Sequence, residues 1–502
     1  MITSDLLKSI KLKKYLWRAY LRNPTPDSLL RHRQHSNTVS KQIRQSRQSY
    51  EKNIINSNDP KKFYKYLRTT MSSKVSIPLL KKPNGNLCNC DFEVAELLAD
   101  TNALSFTDEP IDELPVFRTS IVNQLSNVQF TDNTVSSYIT KSKSNTAPGV
   151  DGIPLNILKQ GNLVLSKPLA TLMTSSFKSS NLPDDWRCAI TTPIYKKHDK
   201  LHPDNYRHIS LLPSCSKLME KIIFDKLFAF AIDNNIIPDD QHGFITGRSA
   251  TTNLLQCIDD WTKAFESRIP VDVIYLDFSK AFDRIPKRRL LLKLRSYGVT
   301  GTLLSWIEAY LSTRSFKVRV GQTFSILRPV TSGVPQGSVL GPLLFIIYIA
   351  DLPKLISSKS PFFADDSKIY DHSSNHDNIQ EDLNIIYQWC ETWLLPLNTD
   401  KCTVLYFGPD NPKNSYWLGN HRLKEETSHC DLGVTVTNKL EWSTHIANIC
   451  NKANRQLYLI SRTFVSLNIA LTKKLYITYV RPILEYCGSV WSCDLIRDTN
   501  QL

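Results

Sequence analysis

The sequence predicts an α+β fold, and three kinds of stretch carry that expectation. Val271-Asp272-Val273-Ile274-Tyr275-Leu276 is a short, apolar, β-branched run that reads as a largely buried strand. Farther on, Pro361-Phe362 and the alternating run Ser367-Lys368-Ile369-Tyr370 enclose Phe363-Ala364-Asp365-Asp366, the pattern of a short two-stranded hairpin. Helical signals are interspersed: an apolar stretch from Leu343 to Ala350 suits a buried helix, and an amphipathic pattern surrounds Glu381 to Trp393.

In chain order, residues 1–75 form a basic helical arm. Of the 62 Lys and Arg in the 502-residue chain, 17 fall here against four acids, so most of the net charge of +15 sits at one end. Tyr15, Leu16, Trp17, Tyr20 and Leu21 make a small apolar patch on otherwise polar helices, and Phe63, Tyr64, Tyr66 and Leu67 lie among lysines. Basic residues interleaved with aromatics suit the phosphates and exposed bases of RNA, although a charge run is also what a solvated face looks like. Residues 76–270 precede the first clear strand, residues 271–440 alternate strands and helices, and residues 441–502 are helical by the spacing of Ile446, Ile449, Leu457 and Ile460.

Several classes are excluded. The eleven cysteines contain no Cys-x-x-Cys pair, Cys88 and Cys90 being the nearest approach, which argues for a reduced, intracellular setting without a zinc site. Met1 is followed by Asp5 and Lys8 with no apolar core, unlike a secretory signal. The most apolar stretch, Val339 to Ile349, is broken by Gly341 and Pro342, so no membrane span or membrane partner is expected. Nucleus and cytoplasm remain as compartments.

The chemistry lies in carboxylates. Two adjacent acids at a hairpin tip repel one another unless a polyvalent cation or a basic partner relieves them, yet an Asp-Asp pair alone is more often a solvated turn. A second acid, Asp277, ends the apolar strand and begins Asp277-Phe278-Ser279-Lys280-Ala281-Phe282-Asp283; taken alone, it is as well explained as a helix N-cap. Between the two stands Ser332-Gly333-Val334-Pro335-Gln336-Gly337-Ser338-Val339-Leu340-Gly341-Pro342, whose glycines make a close-approach loop opening into the apolar helix.

In the order strand-Asp, Gly-Val-Pro-Gln-Gly, hairpin Asp-Asp, the three segments resemble motifs A, B and C of reverse transcriptases, specifically the non-LTR (LINE-type, jockey-like) retrotransposon branch. Ala147-Pro148-Gly149-Val150-Asp151-Gly152, Trp186-Arg187-Cys188-Ala189, Pro193-Ile194-Tyr195-Lys196-Lys197, Asn205-Tyr206-Arg207-His208-Ile209-Ser210 and Gln241-His242-Gly243-Phe244 continue the likeness upstream. Leu397-Asn398-Thr399-Asp400-Lys401, Leu432-Gly433-Val434 and Tyr479-Val480-Arg481-Pro482 continue it downstream, so it covers roughly 75 to 490.

The resemblance implies a right-hand polymerase fold: fingers at 76–270, palm with motifs A to E at 271–440 and thumb at 441–502, preceded by the arm. It implies an RNA-directed DNA polymerase acting with RNA template, DNA primer or target and dNTPs. Two Mg²⁺, replaceable by Mn²⁺, would be held by Asp277, Asp365, Asp366 and the carbonyl of Phe278. Arg207 would grip the triphosphate. Phe282 would lie beneath the incoming sugar and select deoxynucleotides, unless it is ordinary core packing, and Gln336 with Gly337 would line the nucleotide pocket. Lys401 would protonate the leaving pyrophosphate, or else be a solvated surface lysine; Leu432 and Gly433 would form the primer grip. Two features depart from the family pattern or its simplest reading. His208 replaces a usual proline, which loosens the expected pose of Arg207, and Asp283 is expected to pair with Arg284 or Lys287 rather than with metal.

Members of this branch normally carry an endonuclease ahead of the polymerase and more sequence after the thumb, so the resemblance leads us to expect a partial copy. A catalytically inactive nucleic-acid-binding relic is the main alternative. A group II intron maturase would need a splicing domain after the thumb.

Overall fold

The computed structural model describes residues 3–57, 59–71, 77–111, 114–144, 146–464, 469–492 and 495–502. The boundary expected at 75/76, and with it Lys74, falls outside the described residues. The described residues combine helix and sheet, with the strands all in the larger unit. The chain divides into two compact units, one of residues 76–441 and one that joins residues 1–75 to residues 442–502.

The larger unit is built on two sheets. Strands β1 (Cys188–Tyr195) and β2 (Tyr206–Leu211) pair antiparallel, and β4 (Ser315–Val320) runs parallel to β1. The second sheet is centred on β3 (Val271–Asp277), flanked by β6 (Asp366–His372) and β7 (Thr403–Phe407), both antiparallel to it. A two-residue strand β5 (Phe362–Phe363) pairs with β6, and β8 (Lys424–Glu426) runs parallel to β7. Strand β3 is buried on both faces, which explains its near-continuous apolar run. Its one internal acid, Asp272, is fully buried and accepts from the Tyr416 hydroxyl (2.6 Å) and the Asn411 amide (2.7 Å).

All four residues of the alternating run Ser367-Lys368-Ile369-Tyr370 are buried. Helix Ala250–Glu266 covers the face carrying Lys368, whose ammonium donates to Asn253 Oδ1 (3.0 Å) and to Asp431 Oδ2 (2.5 Å). Helix Gly341–Ile349 matches the expected buried helix, every residue except Pro342 being in the core. The amphipathic helix runs from His376 to Trp393 and buries Ile379, Leu383, Ile386, Trp389 and Trp393.

The smaller unit contains helices Ser4–Arg22, Pro26–Asn56, Pro60–Met71, Ser443–Thr463 and Ile469–Leu475. Phe63, Tyr66 and Leu67 do not form an exposed aromatic surface. At i, i+3, i+4 spacing they make the buried stripe of a short helix and pack with Ile54 against Ala453, Ile460, Phe464, Leu471 and Leu475. A buried carboxylate, Glu51, ties the unit together by accepting from the Tyr66 hydroxyl (2.8 Å) and Arg47 Nε (3.3 Å), while Arg47 Nη2 donates to the Thr463 carbonyl (2.6 Å). Trp17 stays exposed, its ring tilted against His32 at 4.9 Å and near Tyr20 at 5.4 Å. With 24 Lys and Arg against seven acids, this unit carries +17, whereas residues 76–441 sum to −2.

Candidate active site

The site forms where β3 ends. In the β3–β6 register Asp277 lies opposite Asp366, which puts the two carboxylates on one face of the sheet. Asp365 is held beside them in the two-residue turn Ala364-Asp365 that joins β5 to β6. Ala364 has φ +56°, a region that side chains other than glycine rarely adopt. Its conformation is fixed from outside the hairpin: buried Gln241 Oε1 accepts from the Ala364 N–H (2.9 Å) and the Gly243 N–H (2.8 Å). A Cβ on Gly243 would meet Ala364 N at 2.5 Å, so only glycine lets this segment lie against the turn.

Crowding the acids has an electrostatic consequence. Asp366 is pushed up to about 6, first by dehydration against the surrounding protein and then by the charges of Asp365, Asp431 and Asp277. Burial likewise raises Asp365, against the pull of Arg207 and Lys196. Asp277 is occupied differently, its Oδ2 receiving the Lys401 ammonium at 3.1 Å in a partly exposed pair. Among the described residues no three acidic, histidine or cysteine side chains converge as a ready-made metal cage. The donors nevertheless fit a hard divalent cation in kind, being three carboxylates whose mutual repulsion such an ion would relieve. Phe278 adds a main-chain oxygen. The bridge between Phe278 and Leu397 is closed by Asn398 N–H to Asp277 O (2.7 Å) and Ser279 N–H to Pro396 O (2.9 Å), bonds that leave the Phe278 carbonyl aside.

The glycine loop is fastened to the segment after β3. Val334 N–H donates to Phe282 O and Gly333 N–H to Ile285 O, each at 2.8 Å. Gly333 has φ +82°, and a Cβ there would meet the carbonyls of Asp283 and Phe282 at 2.5 and 2.6 Å. Farther along, Ser210 N–H donates to Gln336 O (2.7 Å), and a Cβ on Gly337 would meet Ser210 O at 2.5 Å, so the Gln336-Gly337 peptide rests on β2. The Phe282 ring stacks on Phe345 at 4.8 Å, with Phe244 edge-on at 6.4 Å.

Cations face the acids. Arg207, exposed on β2 opposite Ile194, lines a small pocket with Lys196, Lys280, Asp283 and Gln336. Burial lowers Lys196, and the charges of Arg207, Lys401 and Lys280 add to the effect. His208 sits opposite Pro193 as a strand residue; burial pulls its imidazole down to about 3 and keeps it neutral. Of the two partners expected for Asp283, Arg284 is kept and Lys287 is not. Its carboxyl is pushed up to about 6 by burial and faces Lys280, Lys196, Arg207 and Arg284, while Lys287 donates instead to Val330 O (2.6 Å).

A cleft of about 310 Å³ runs alongside, lined by Asp277, Asp366, Lys401, Lys197, Asp431 and Leu432 among others. Leu432 and Gly433, with φ of +45° and +90°, form the two-residue turn between strands β9 (Ser428–Asp431) and β10 (Val434–Thr437). Every candidate residue from the sequence therefore lies in or beside one region of the larger unit. Sequence reasoning missed Lys196, Lys280 and Gln241, although all three stood within motifs already singled out. It also missed Lys368 and Asp431, whose pairing only the sheet reveals.

The family model described as reverse transcriptase (RNA-dependent DNA polymerase) matches residues 194–436. The chain is 28% identical to a probable RNA-directed DNA polymerase from transposon BS of Drosophila melanogaster, over 71% of this chain and 41% of that protein. It is 26% identical to the RNA-directed DNA polymerase from mobile element jockey of the same species, over 100% of this chain and 58% of the relative. With the probable RNA-directed DNA polymerase from transposon X-element, identity is 27% over 82% and 48%. The chain thus spans about half the length of these relatives.

Proposed function

We propose, from the match of residues 194–436 to the reverse transcriptase family and the likeness to the jockey and transposon BS polymerases, that the chain is an RNA-directed DNA polymerase of the jockey-like, non-LTR retrotransposon type. It would join a primer 3′-hydroxyl to the α-phosphorus of a dNTP chosen by an RNA template and release pyrophosphate. In this reading residues 76–270 are the fingers, 271–440 the palm and 441–502 the thumb, and the +17 unit grips nucleic acid backbones.

The observation that carries the reading is the register that sets Asp277 against Asp366, with Asp365 in the adjoining turn. Asp277, Asp365, Asp366 and the Phe278 carbonyl would hold two Mg²⁺, which when bound would acidify the attacking hydroxyl and neutralise charge on the reacting phosphate oxygens. The remaining work belongs to the protein. Arg207, Lys196 and Lys280 would receive the triphosphate, and Gln336 and Gly337 would bear on the nascent base pair. Phe282, rigid between Phe345 and Phe244, would block a 2′-hydroxyl. Lys401 already rests on Asp277; freed when that carboxylate takes up its ion, its ammonium would be placed to protonate the leaving pyrophosphate. The Leu432-Gly433 turn would position the primer end.

One observation favours the second reading, a nucleic-acid-binding relic: the Lys401 ammonium already sits on Asp277 Oδ2, where a metal ion would bind. Primer extension separates the two. Purified protein with Mg²⁺ and dTTP should lengthen oligo(dT) on poly(rA) and leave unpaired oligo(dT) alone. Binding of the duplex without extension would contradict the polymerase and leave the relic.

A further inference from the structure

Glu220 lies outside every motif discussed above. It sits on helix Ser214–Asp233, which begins just after β2, and its side chain is fully buried. A carboxylate in that position costs stability unless both oxygens are engaged. Oε1 accepts from the Ser216 hydroxyl (3.1 Å), and Oε2 accepts from two main-chain donors 119 and 120 positions away, Val339 N–H (2.8 Å) and Leu340 N–H (3.3 Å).

Those donors stand immediately before helix Gly341–Ile349, Leu340 being its N-cap residue, where the glycine loop ends. That helix cannot cap itself: its residues are glycine, proline and apolar side chains, and its buried N-terminus leaves N–H groups needing acceptors. Ser338 Oγ takes the Gly341 N–H (2.9 Å), Pro342 has none, and Glu220 takes the two before them. An anion there also meets the positive end of the helix dipole. The beginning and middle of the loop are fixed by main-chain bonds to Ile285, Phe282 and Ser210. Its end is fixed by the Glu220 side chain.

Resting on the polymerase reading above, we propose that Glu220 is a positioning residue for nucleotide binding: its carboxylate anchors the end of the loop and thereby sets where Gln336 and Gly337 meet the incoming dNTP. Glu220 touches no substrate in this assignment. A cap lost from the end of the loop lets its middle shift against β2, so the effect falls on dNTP affinity before it falls on template–primer affinity.

The test uses the full chain bound to poly(rA) with a dideoxy-terminated oligo(dT) primer, so that dTTP binds without turnover, and reads dTTP dissociation by tryptophan fluorescence with Mg²⁺ present. Extension kinetics with an extendable primer supply the split between KM and kcat. Glu220→Leu removes both acceptors, and Glu220→Gln keeps one amide oxygen for Val339 while turning its nitrogen to Ser216. A destabilised control is Lys293→Met. The buried Lys293 ammonium donates to Tyr348 O (2.7 Å) and Asp351 (2.5 Å) near the opposite end of the same helix, away from the loop.

Glu220→Leu should weaken dTTP binding and raise its KM by about tenfold or more, with kcat and template–primer binding changed much less. Glu220→Gln should recover most of the loss, and Lys293→Met should lower the melting temperature without moving the dTTP constant. Wild-type dTTP affinity in a folded Glu220→Leu protein would overturn the proposal. So would parallel losses of dTTP and template–primer binding, matched by Lys293→Met, because they would make Glu220 merely structural. If the wild type binds dTTP but extends no primer, the polymerase reading fails while the binding measurement still decides the role of Glu220.

Discussion

At the scale of single residues, the site is governed by charges held in places water would not choose. Asp283 is the clearest case: dry surroundings raise its carboxyl to about 6 although Lys280, Lys196, Arg207 and Arg284 all face it. Its folded value lies above the ordinary carboxylate value, so the stability it contributes is present below about pH 4 and lost as pH rises through about 6. Asp283→Asn should therefore leave stability near pH 4 almost unchanged and add on the order of 2 kcal/mol at pH 7.5, as urea unfolding at the two pH values would read. An equal gain at both would deny the shift. Phe282 supports a second prediction. Wedged against Phe345, its ring cannot swing aside, so Phe282→Ala should reduce discrimination against UTP relative to dTTP by about 10–100-fold. Unchanged discrimination would leave the ring as core packing, the plainer alternative that the sequence also allowed.

At the scale of elements, what could be seen in advance depended on how local the cause was. The Val271–Leu276 strand and the Leu343–Ala350 helix were legible because each announces itself in its own apolar run. The hairpin was legible in place but not in environment, since nothing near Lys368 foretells Asp431 lying 63 positions on to neutralise it. Glu220 was invisible for the same reason, its partners being 119 and 120 residues away. Gly333 was legible as a close approach, and the structure says to what: the carbonyls of Phe282 and Asp283, at a positive φ. Gly333→Ala should therefore cost about 2–4 kcal/mol and, by lifting the loop from the segment after β3, lower primer extension more than template–primer binding. Wild-type stability in thermal melts would show that the loop yields without penalty.

At the scale of the whole molecule, charge and architecture are divided. The unit of residues 1–75 and 442–502 carries +17 and residues 76–441 carry −2, an asymmetry that composition hinted at for the arm alone. Sequence could not reveal that the arm and the C-terminal helices share a core, because Phe63, Tyr66 and Leu67 find their partners some four hundred positions later. Deleting residues 1–71 should consequently expose Ile460, Leu471 and Leu475 and make residues 442–502 markedly easier to cleave in limited proteolysis. Unchanged protection of that segment would mean the shared core adds little. In the larger unit the register of two strands assembles the carboxylates. The most direct test of this site is Mg²⁺-dependent extension of oligo(dT) on poly(rA) by wild-type protein and by Asp365→Asn, with template–primer binding measured on both. The substitution should lower extension by about a thousandfold or more and leave binding within about threefold. Extension by Asp365→Asn at the wild-type rate would contradict the metal-holding role of Asp365.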